Sequence, residues 1–207
     1  MTAGTLRRRL LLIAGKLSVM KFKIEVSPWF CVILAGGILL LPVRVLLAAL
    51  AAVSVHELAH LVALVWCDVP VHRIFLGMRG ARIHTGFMTS GQEAICAAAG
   101  PAGSFLLLLL RDCFPPIAVI GAVQGIYNLL PVYPLDGGRV VHAVLDMIAP
   151  NRCREIVSVI SAGTVLLVFI LLWRKFSAEA ALTAVALIFM TYGSRNISCK
   201  DGHKRVQ

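Results

Sequence analysis

Apolar runs long enough to cross a bilayer recur along this chain of 207 residues, and they constrain the fold more than any other feature. Hydrophobic residues make up 59% of the sequence and charged residues only 14%, whereas a soluble domain averages about 25% charged residues. Inside a bilayer no water can bond to exposed peptide groups, so a spanning segment must satisfy its backbone within a helix. The sequence therefore predicts an all-α polytopic membrane protein.

Six segments reach, or nearly reach, the roughly 17–25 residues that a bilayer requires. The first is short, and Pro42 marks the turn into the second. Placing the N-terminus in the cytoplasm puts sixteen of the twenty lysines and arginines on the inner side, so both termini are expected there. Gly100-Pro101 is expected to disturb the third span locally. The six predicted transmembrane helices are residues 28–41, 43–66, 94–110, 114–130, 153–173 and 176–192.

The whole chain, 1–207, is predicted to be one membrane-embedded domain. Residues 1–27 form a cytoplasmic or interfacial segment, 28–192 the six-span core, and 193–207 a basic cytoplasmic tail. The net charge of +10 comes from basic residues in loops and terminal segments without interleaved aromatic residues, so no nucleic-acid partner is expected. The six cysteines show no C-x-x-C pair, which favours small buried apolar residues over disulfides.

The loop predicted between the second and third spans, residues 68–92, contains two short alternating stretches around a turn with glycine. This pattern is typical of a β-hairpin. Residues 21–26 alternate in the same way, so we expect a small interfacial sheet on the cytoplasmic side. An open sheet edge there could pair with an extended peptide. The alternative is a purely structural hairpin with solvated arginines.

The second predicted span carries the pentapeptide His56-Glu57-Leu58-Ala59-His60, whose three polar residues lie in an otherwise apolar helix. A charged group in hydrocarbon costs at least a few kcal/mol, so such a cluster needs a reason. Four residues turn a helix by about 400°, which places His56 and His60 on one face, one turn apart. Two such imidazoles can bind one zinc ion, with Glu57 beside them as a base. The alternative, polar residues bonded to neighbouring backbone, is weakened by the apolar surroundings.

A catalytic zinc usually has three protein ligands, so one ligand beyond the two histidines must be found. Eight of the ten acidic residues lie in predicted loops, interfaces or the tail, which leaves Glu57 and Asp136. Asp136 follows Pro131 and Pro134, which break the helix, and precedes two glycines. That context suits a carboxylate presented at a helix N-terminus and aimed inward. The alternative is an ordinary N-cap aspartate.

These residues, taken together, resemble a known family. The pentapeptide at 56–60 and Asn128-x-x-Pro131-x-x-Pro134-Leu135-Asp136-Gly137-Gly138, about 80 residues further on, are similar to the two motifs of the site-2 protease family of intramembrane zinc metalloproteases. The likeness is greatest to the branch that processes a membrane-associated pro-sigma factor in bacterial sporulation. Ala59 departs from the glycine often found there in the family. Neither a PDZ domain nor a cystathionine-synthase-like domain is expected in the chain.

The resemblance implies roles by position. His56, His60 and Asp136 would bind Zn2+, and Glu57 would take a proton from the attacking water. Asn128 would hold the substrate carbonyl or the oxyanion, although a helix-capping or interhelical hydrogen bond is its alternative role. The implied function is an intramembrane zinc endopeptidase of the bacterial cell membrane. Its substrate would be a membrane-tethered or transmembrane protein, such as a pro-sigma factor, cut near the cytoplasmic face.

The hairpin edge would then hold the unwound substrate, because a helical backbone is internally bonded. Val71, Ile74 and Leu76 are the expected substrate-binding residues. A metal-binding membrane transporter with the same three ligands is the alternative function, and an inactive scaffold is a third. Transporters often show internal repeats, none of which is evident here, and only the protease gives Glu57 a role. The sequence leaves open the substrate, any inhibitory membrane partner and the oligomeric state.

Overall fold

The described residues fall into two compact units, with the boundary between Tyr127 and Asn128. The computed structural model describes residues 23–77 and 80–175. The first unit contains β1 (Lys23–Val26), α1 (Pro28–Leu40), α2 (Val43–Trp66), β2 (Val71–Gly77), β3 (Gly80–Thr85), α3 (Ser90–Leu106), a 3-10 turn (Leu107–Leu110) and most of α4 (Pro115–Leu129). The second unit contains α5 (Asp136–Ile148), a 3-10 turn (Pro150–Arg152) and α6 (Cys153–Lys175).

Three helices of the described chain are long and apolar enough to cross a membrane: Val43–Trp66, Ser90–Leu110 and Pro150–Leu171. They coincide with predicted spans two, three and five, and they confirm a helical membrane protein. The helices α1 and α4 have 13 and 15 residues. At 1.5 Å per residue these lengths are roughly 20 and 22 Å, short of the ~30 Å hydrocarbon core. Predicted span 176–192 lies outside the described residues, so the number six stays a prediction.

The start of α3 corrects the sequence prediction, which placed residues 90–92 in a loop. Thr89 and Gln92 form a capping box. The Gln92 amide N–H donates to the Thr89 hydroxyl at 3.3 Å, and the Thr89 N–H donates to Gln92 Oε1 at 3.0 Å. These bonds satisfy two of the backbone donors that a helix start leaves open, so the helix begins at Ser90.

The helix α3 also continues through Pro101, where a local disturbance was expected. A proline normally disfavours helical backbone at the residue before it, because its ring collides with that residue's Cβ. The preceding residue is Gly100, which has no Cβ. The steric obstacle is therefore reduced, and the fully buried Pro101 remains within the helix.

The predicted sheet is confirmed, with strand order β1-β2-β3. The strand β1 pairs parallel to β2, and β2 pairs antiparallel to β3. Residues Met78 and Arg79 of the predicted turn lie outside the described residues, and Gly80 at its end has φ of +95°, a backbone conformation that favours glycine. The strand β2 is thus central, with both of its backbone edges paired, and the edges of this described sheet are β1 and β3.

The sheet packs on α2 and α3 through a small apolar cluster in the first unit. Its buried members are Ala63, Leu64, Val69, Val71 and Cys96. The second unit has a cluster of its own around Val132 and Leu135. Many apolar side chains elsewhere on the helices are exposed, including Leu39 and Leu40 at 84%. Such surfaces suit helices that face lipid.

Candidate metal centre

The two histidines of the pentapeptide lie together on the buried face of α2. His56 is 4% exposed and His60 is 8% exposed. Their Nε2 atoms are 3.2 Å apart, and the two rings meet edge to face with centroids 4.8 Å apart. The structure therefore confirms that the H-E-x-x-H spacing brings both imidazoles to one point, away from solvent.

The outer nitrogen of each ring is held by α3. His60 Nδ1 lies 2.7 Å from the carbonyl oxygen of Cys96, and His56 Nδ1 lies 2.8 Å from the Ser104 hydroxyl. A carbonyl only accepts, so His60 must carry its proton on Nδ1, which leaves a lone pair on Nε2. Metal-binding histidines are held in this way in proteins, with one nitrogen bonded to a neighbour and the other on the ion. The pair thus fits a metal such as zinc.

Gly100 makes the close approach of α3 to the histidines possible. A Cβ at this position would overlap His60 Nε2 and would lie 2.8 Å from His56 Cε1. Real side chains do not tolerate such distances, so α3 backbone lies directly against the two rings. Any side chain at position 100 would fill the space next to His60 Nε2, where an ion could bind. This is a second feature of the first unit that fits an ion between the rings.

Glu57 follows His56 in α2 and is partly buried. A carboxylate this close in sequence to the ligand pair projects from the adjoining face of the helix, because one residue turns the helix by about 100°. The location suits the predicted base, and the assignment stays a prediction.

In the second unit, Asp136 is the first residue of α5 and is 8% exposed. Leu135 is the N-cap, and no side chain caps the helix, so the ordinary N-cap alternative for Asp136 is wrong. The positive end of the helix dipole favours an ionised carboxylate at this position. Arg139 Nη1 adds a cation at 3.9 Å from Asp136 Oδ1.

The loop before Asp136 turns back onto the start of α5, and Gly137 and Gly138 permit this. A Cβ on Gly137 would overlap the backbone of Leu129, and a Cβ on Gly138 would overlap the backbone of Val132. The Tyr133–Pro134 peptide bond in this loop is cis. The two glycines of the motif therefore serve the backbone fold that presents the aspartate.

The remaining predicted site residues have different surroundings. Asn128 is partly buried in the last turn of α4, at the first position of the second unit. Val71 is 7% exposed and belongs to the apolar cluster of the first unit. Ile74 and Leu76 pair with both β1 and β3, whereas Val71 pairs with β3. The assignment of these three residues to substrate binding stays a prediction.

The sequence did not predict the residues of α3 that contact the histidine pair, which are Cys96, Gly100 and Ser104. A signal for them was present. Ser104 is the only hydroxyl-bearing or charged residue in the predicted span 94–110. Positions 96, 100 and 104 follow one another at four-residue spacing, which places them on one face of a helix.

Comparisons with known proteins identify relatives of this chain. The sequence model of peptidase family M50 matches residues 108–171, a range that contains Asn128 and Asp136. The chain is 28% identical over 142 residues to "Stage IV sporulation protein FB" of Bacillus subtilis, which covers 62% of this chain and 49% of that protein. It is 31% identical over 177 residues to "Putative zinc metalloprotease Rip3" of Mycobacterium tuberculosis, which covers 75% of this chain and 43% of that protein.

The chain thus spans about half the length of the curated relatives it matches. Its fold is similar to the solved structure of the Site-2 Protease from Methanocaldococcus jannaschii, with a TM-score of 0.61 and 20% identity. That match covers 84% of this chain and 90% of the other. The family model, the two relatives and the shared fold agree, and the chain belongs to the site-2 protease family of zinc metalloproteases, peptidase family M50.

Proposed function

We propose that this protein is an intramembrane zinc endopeptidase that cuts a membrane-tethered protein near the cytoplasmic face. The observation that carries the proposal is the buried histidine pair on α2. Its two Nε2 atoms lie 3.2 Å apart, while both Nδ1 atoms are bonded to α3. Two ring nitrogens that meet at one buried point of an apolar helix match the requirements of a metal.

The proposed ligands are His56, His60 and Asp136. Two imidazoles and a carboxylate form a donor set that suits catalytic zinc and leaves a position for water or substrate. Support for Asp136 comes from its burial at the start of α5 and from its place within the residues that the family model matches. Elimination of the other acids in the sequence supports the same choice.

When bound, zinc supplies Lewis acidity, which lowers the pKa of a water molecule and polarises a peptide carbonyl. Glu57 is the general base: it takes a proton from the attacking water as the oxygen–carbon bond forms. The same carboxyl then gives a proton to the departing amide nitrogen as the carbon–nitrogen bond breaks. Asn128 donates from its side-chain amide to the carbonyl oxygen, where negative charge develops.

The substrate is a membrane-tethered protein whose helix must unwind, since the backbone of an intact helix is already bonded. The edges of the described sheet, β1 and β3, are the places where an extended peptide could add a strand. A peptide added to β1 or β3 would form no backbone hydrogen bonds with β2, so Ile74 and Leu76 would contact the peptide through their side chains alone. The likeness to Stage IV sporulation protein FB supports a role in sporulation. A membrane-associated pro-sigma factor is the substrate that the resemblance of the motifs implies. We place the protein in a bacterial cell membrane with both termini cytoplasmic.

The first experiment separates proteolysis from metal binding. Co-expression with candidate membrane-tethered transcription factors compares the wild type with Glu57→Gln, and product size on a gel reports cleavage. We expect the product to vanish in Glu57→Gln while zinc stays bound. Glu155→Gln, which removes an exposed carboxylate from α6, is the matched control and should cleave normally. Full cleavage by Glu57→Gln would refute the assigned base.

The second experiment tests the ligands. Purified His56→Ala, His60→Ala and Asp136→Ala should each lose most of their zinc in elemental analysis, whereas Glu155→Gln should retain it. Near-stoichiometric zinc in any of the three alanine variants would remove that residue from the ligand set. A metal transporter would still carry metal across the membrane after Glu57→Gln. Metal transport into vesicles by both proteins, with no cleavage by the wild type, would refute the proposed protease function.

A further inference from the structure

We propose that Ser104 on α3 is a positioning residue for the metal ligand His56. Its hydroxyl holds the His56 ring so that Nε2 faces the ion. The proposal rests on the metal site of the proposed function, and it concerns how the site is built. Ser104 is fully buried, His56 is 4% exposed, and 2.8 Å separate the hydroxyl oxygen from His56 Nδ1.

The two histidines are held by chemically different partners, and this difference defines the task of Ser104. The carbonyl of Cys96 accepts only, so it fixes the proton of His60 on Nδ1. A hydroxyl can both donate and accept. When Ser104 donates, His56 carries its proton on Nε2 and can bond to His60 Nε2, 3.2 Å away. When Ser104 accepts, His56 Nε2 has a lone pair for the ion. One side chain thus serves the pair with and without metal.

The helix α4 packs against Ser104 on the side away from His56. A Cβ on Gly121 would lie 3.0 Å from the Ser104 carbonyl oxygen, and a Cβ on Gly125 would lie 3.2 Å from the Ser104 Cβ. These two glycines let α4 lie directly against the serine. Ser104 therefore sits between α4 on one side and the His56 ring on the other, which leaves its hydroxyl little freedom to move away.

The arrangement gives Ser104 a role that packing alone would not require. Alanine has nearly the same volume and would fill the space equally well in an apolar interface. The hydroxyl adds only its hydrogen bond to His56 Nδ1. Outer hydrogen bonds of this kind typically change metal affinity by about 10–100-fold when removed. We therefore expect the loss to appear in metal binding, with the helices unchanged.

The test compares Ser104→Ala, Ser104→Thr and Ser104→Cys in the full chain, purified in detergent. Ser54→Ala, which removes an exposed hydroxyl from α2 near His56, is the matched control. Zinc affinity is measured by competition with a chromophoric chelator, and the cobalt(II)-substituted protein is measured by visible absorption. Circular dichroism and thermal unfolding report the fold.

Ser104→Ala should bind zinc about 10–100-fold more weakly and show an altered cobalt spectrum, with its circular dichroism unchanged. Ser104→Thr, which keeps the hydroxyl, should recover most of the affinity. If threonine does not fold against the glycines of α4, Ser104→Cys replaces it, and its weakly bonding thiol should give an intermediate affinity. Wild-type affinity and spectrum in Ser104→Ala would overturn the proposal.

A second perturbation reaches Ser104 without touching either histidine. Gly125→Ala should push Ser104 and lower zinc affinity several-fold in the wild type, but should add little in the Ser104→Ala background. Equal effects in both backgrounds would contradict a route through the hydroxyl. If the proposed metal site itself is wrong, His56→Ala will keep its zinc. A zinc-free His56→Ala beside a normal Ser104→Ala rejects the present inference alone.

Discussion

The contact between Ala59 on α2 and Gly103 on α3 gives a sharp prediction about packing. A Cβ on Gly103 would lie 2.6 Å from the Ala59 Cβ and 3.4 Å from the Val55 carbonyl oxygen. Carbon atoms in contact normally stay about 3.5–4.0 Å apart, so the added methyl group overlaps by about 1 Å. Neither atom is at the end of a flexible side chain. The two helices must therefore separate in Gly103→Ala.

Overpacking of this kind typically costs about 1–3 kcal/mol of unfolding free energy. The cost should be recovered in the swapped variant Ala59→Gly/Gly103→Ala, which returns a methyl group and a glycine to the same interface. Ala59→Gly alone should lose about 0.5–1 kcal/mol, because glycine is a poorer helix residue. The double variant should thus be more stable than the sum of its two single changes, with a coupling of about 1–3 kcal/mol.

The assay is equilibrium unfolding in mixed micelles, followed by circular dichroism, for the four proteins of the cycle. Gly163→Ala on α6 is the control, because a Cβ there meets nothing within 4 Å. It should be neutral or slightly stabilising. Strictly additive losses in the double variant would refute the direct Ala59–Gly103 contact. A Gly103→Ala protein as stable as the wild type would refute the overlap itself.

Three further predictions concern single sites. Gly100→Ala should reduce bound zinc to background in elemental analysis, because its Cβ would overlap a nitrogen that faces the metal; wild-type zinc would contradict the geometry. Ser161→Ala should lower the unfolding free energy by about 1–3 kcal/mol, since its hydroxyl accepts a backbone N–H of the proline loop; unchanged unfolding would contradict this. Burial, then the charges of Arg73 and Arg82, lower the pKa of His84 below 6.5. The unfolded chain then binds more protons, so stability should fall as pH drops through the window below 6.5. An NMR titration midpoint at or above 6.5 would contradict the lowered pKa.

Local patterns in the sequence were sufficient for the parts of the fold that depend on one segment. Helical spacing predicted the histidine pair of α2, and alternation predicted the strands of the small sheet. Thr89 and Gln92 have the spacing of a capping box, and this local pattern, more than apolar content, determines where α3 begins. Local rules misjudged Pro101 because they consider the proline without the glycine before it.

Partners across elements could not be predicted in the same way. The central position of β2 depends on β1 joining it in parallel, although the two strands are separated in sequence by two helices. The residues opposite His56 and His60 on α3 depend on the rotation and height of one helix against another. The alternation of strand residues and the helical period determine neither the rotation of one helix against another nor its height. The four-residue spacing of Cys96, Gly100 and Ser104 predicts that they share one face of α3. It does not predict that this face contacts the histidines of α2.

A bilayer supplies little hydrophobic force between helices, so close van der Waals packing and buried hydrogen bonds must hold α2 against α3. The residues that provide this packing are the neighbours of the residues that shape the metal centre. Gly103 lies against Ala59, while Gly100 and Ser104 lie against His60 and His56. Any change that separates the two helices must therefore lengthen the bonds to both histidines as well. Stability and metal affinity should fall together for changes that separate α2 from α3, such as Gly103→Ala, whereas Ser104→Ala, which keeps the packing, should lower metal affinity alone.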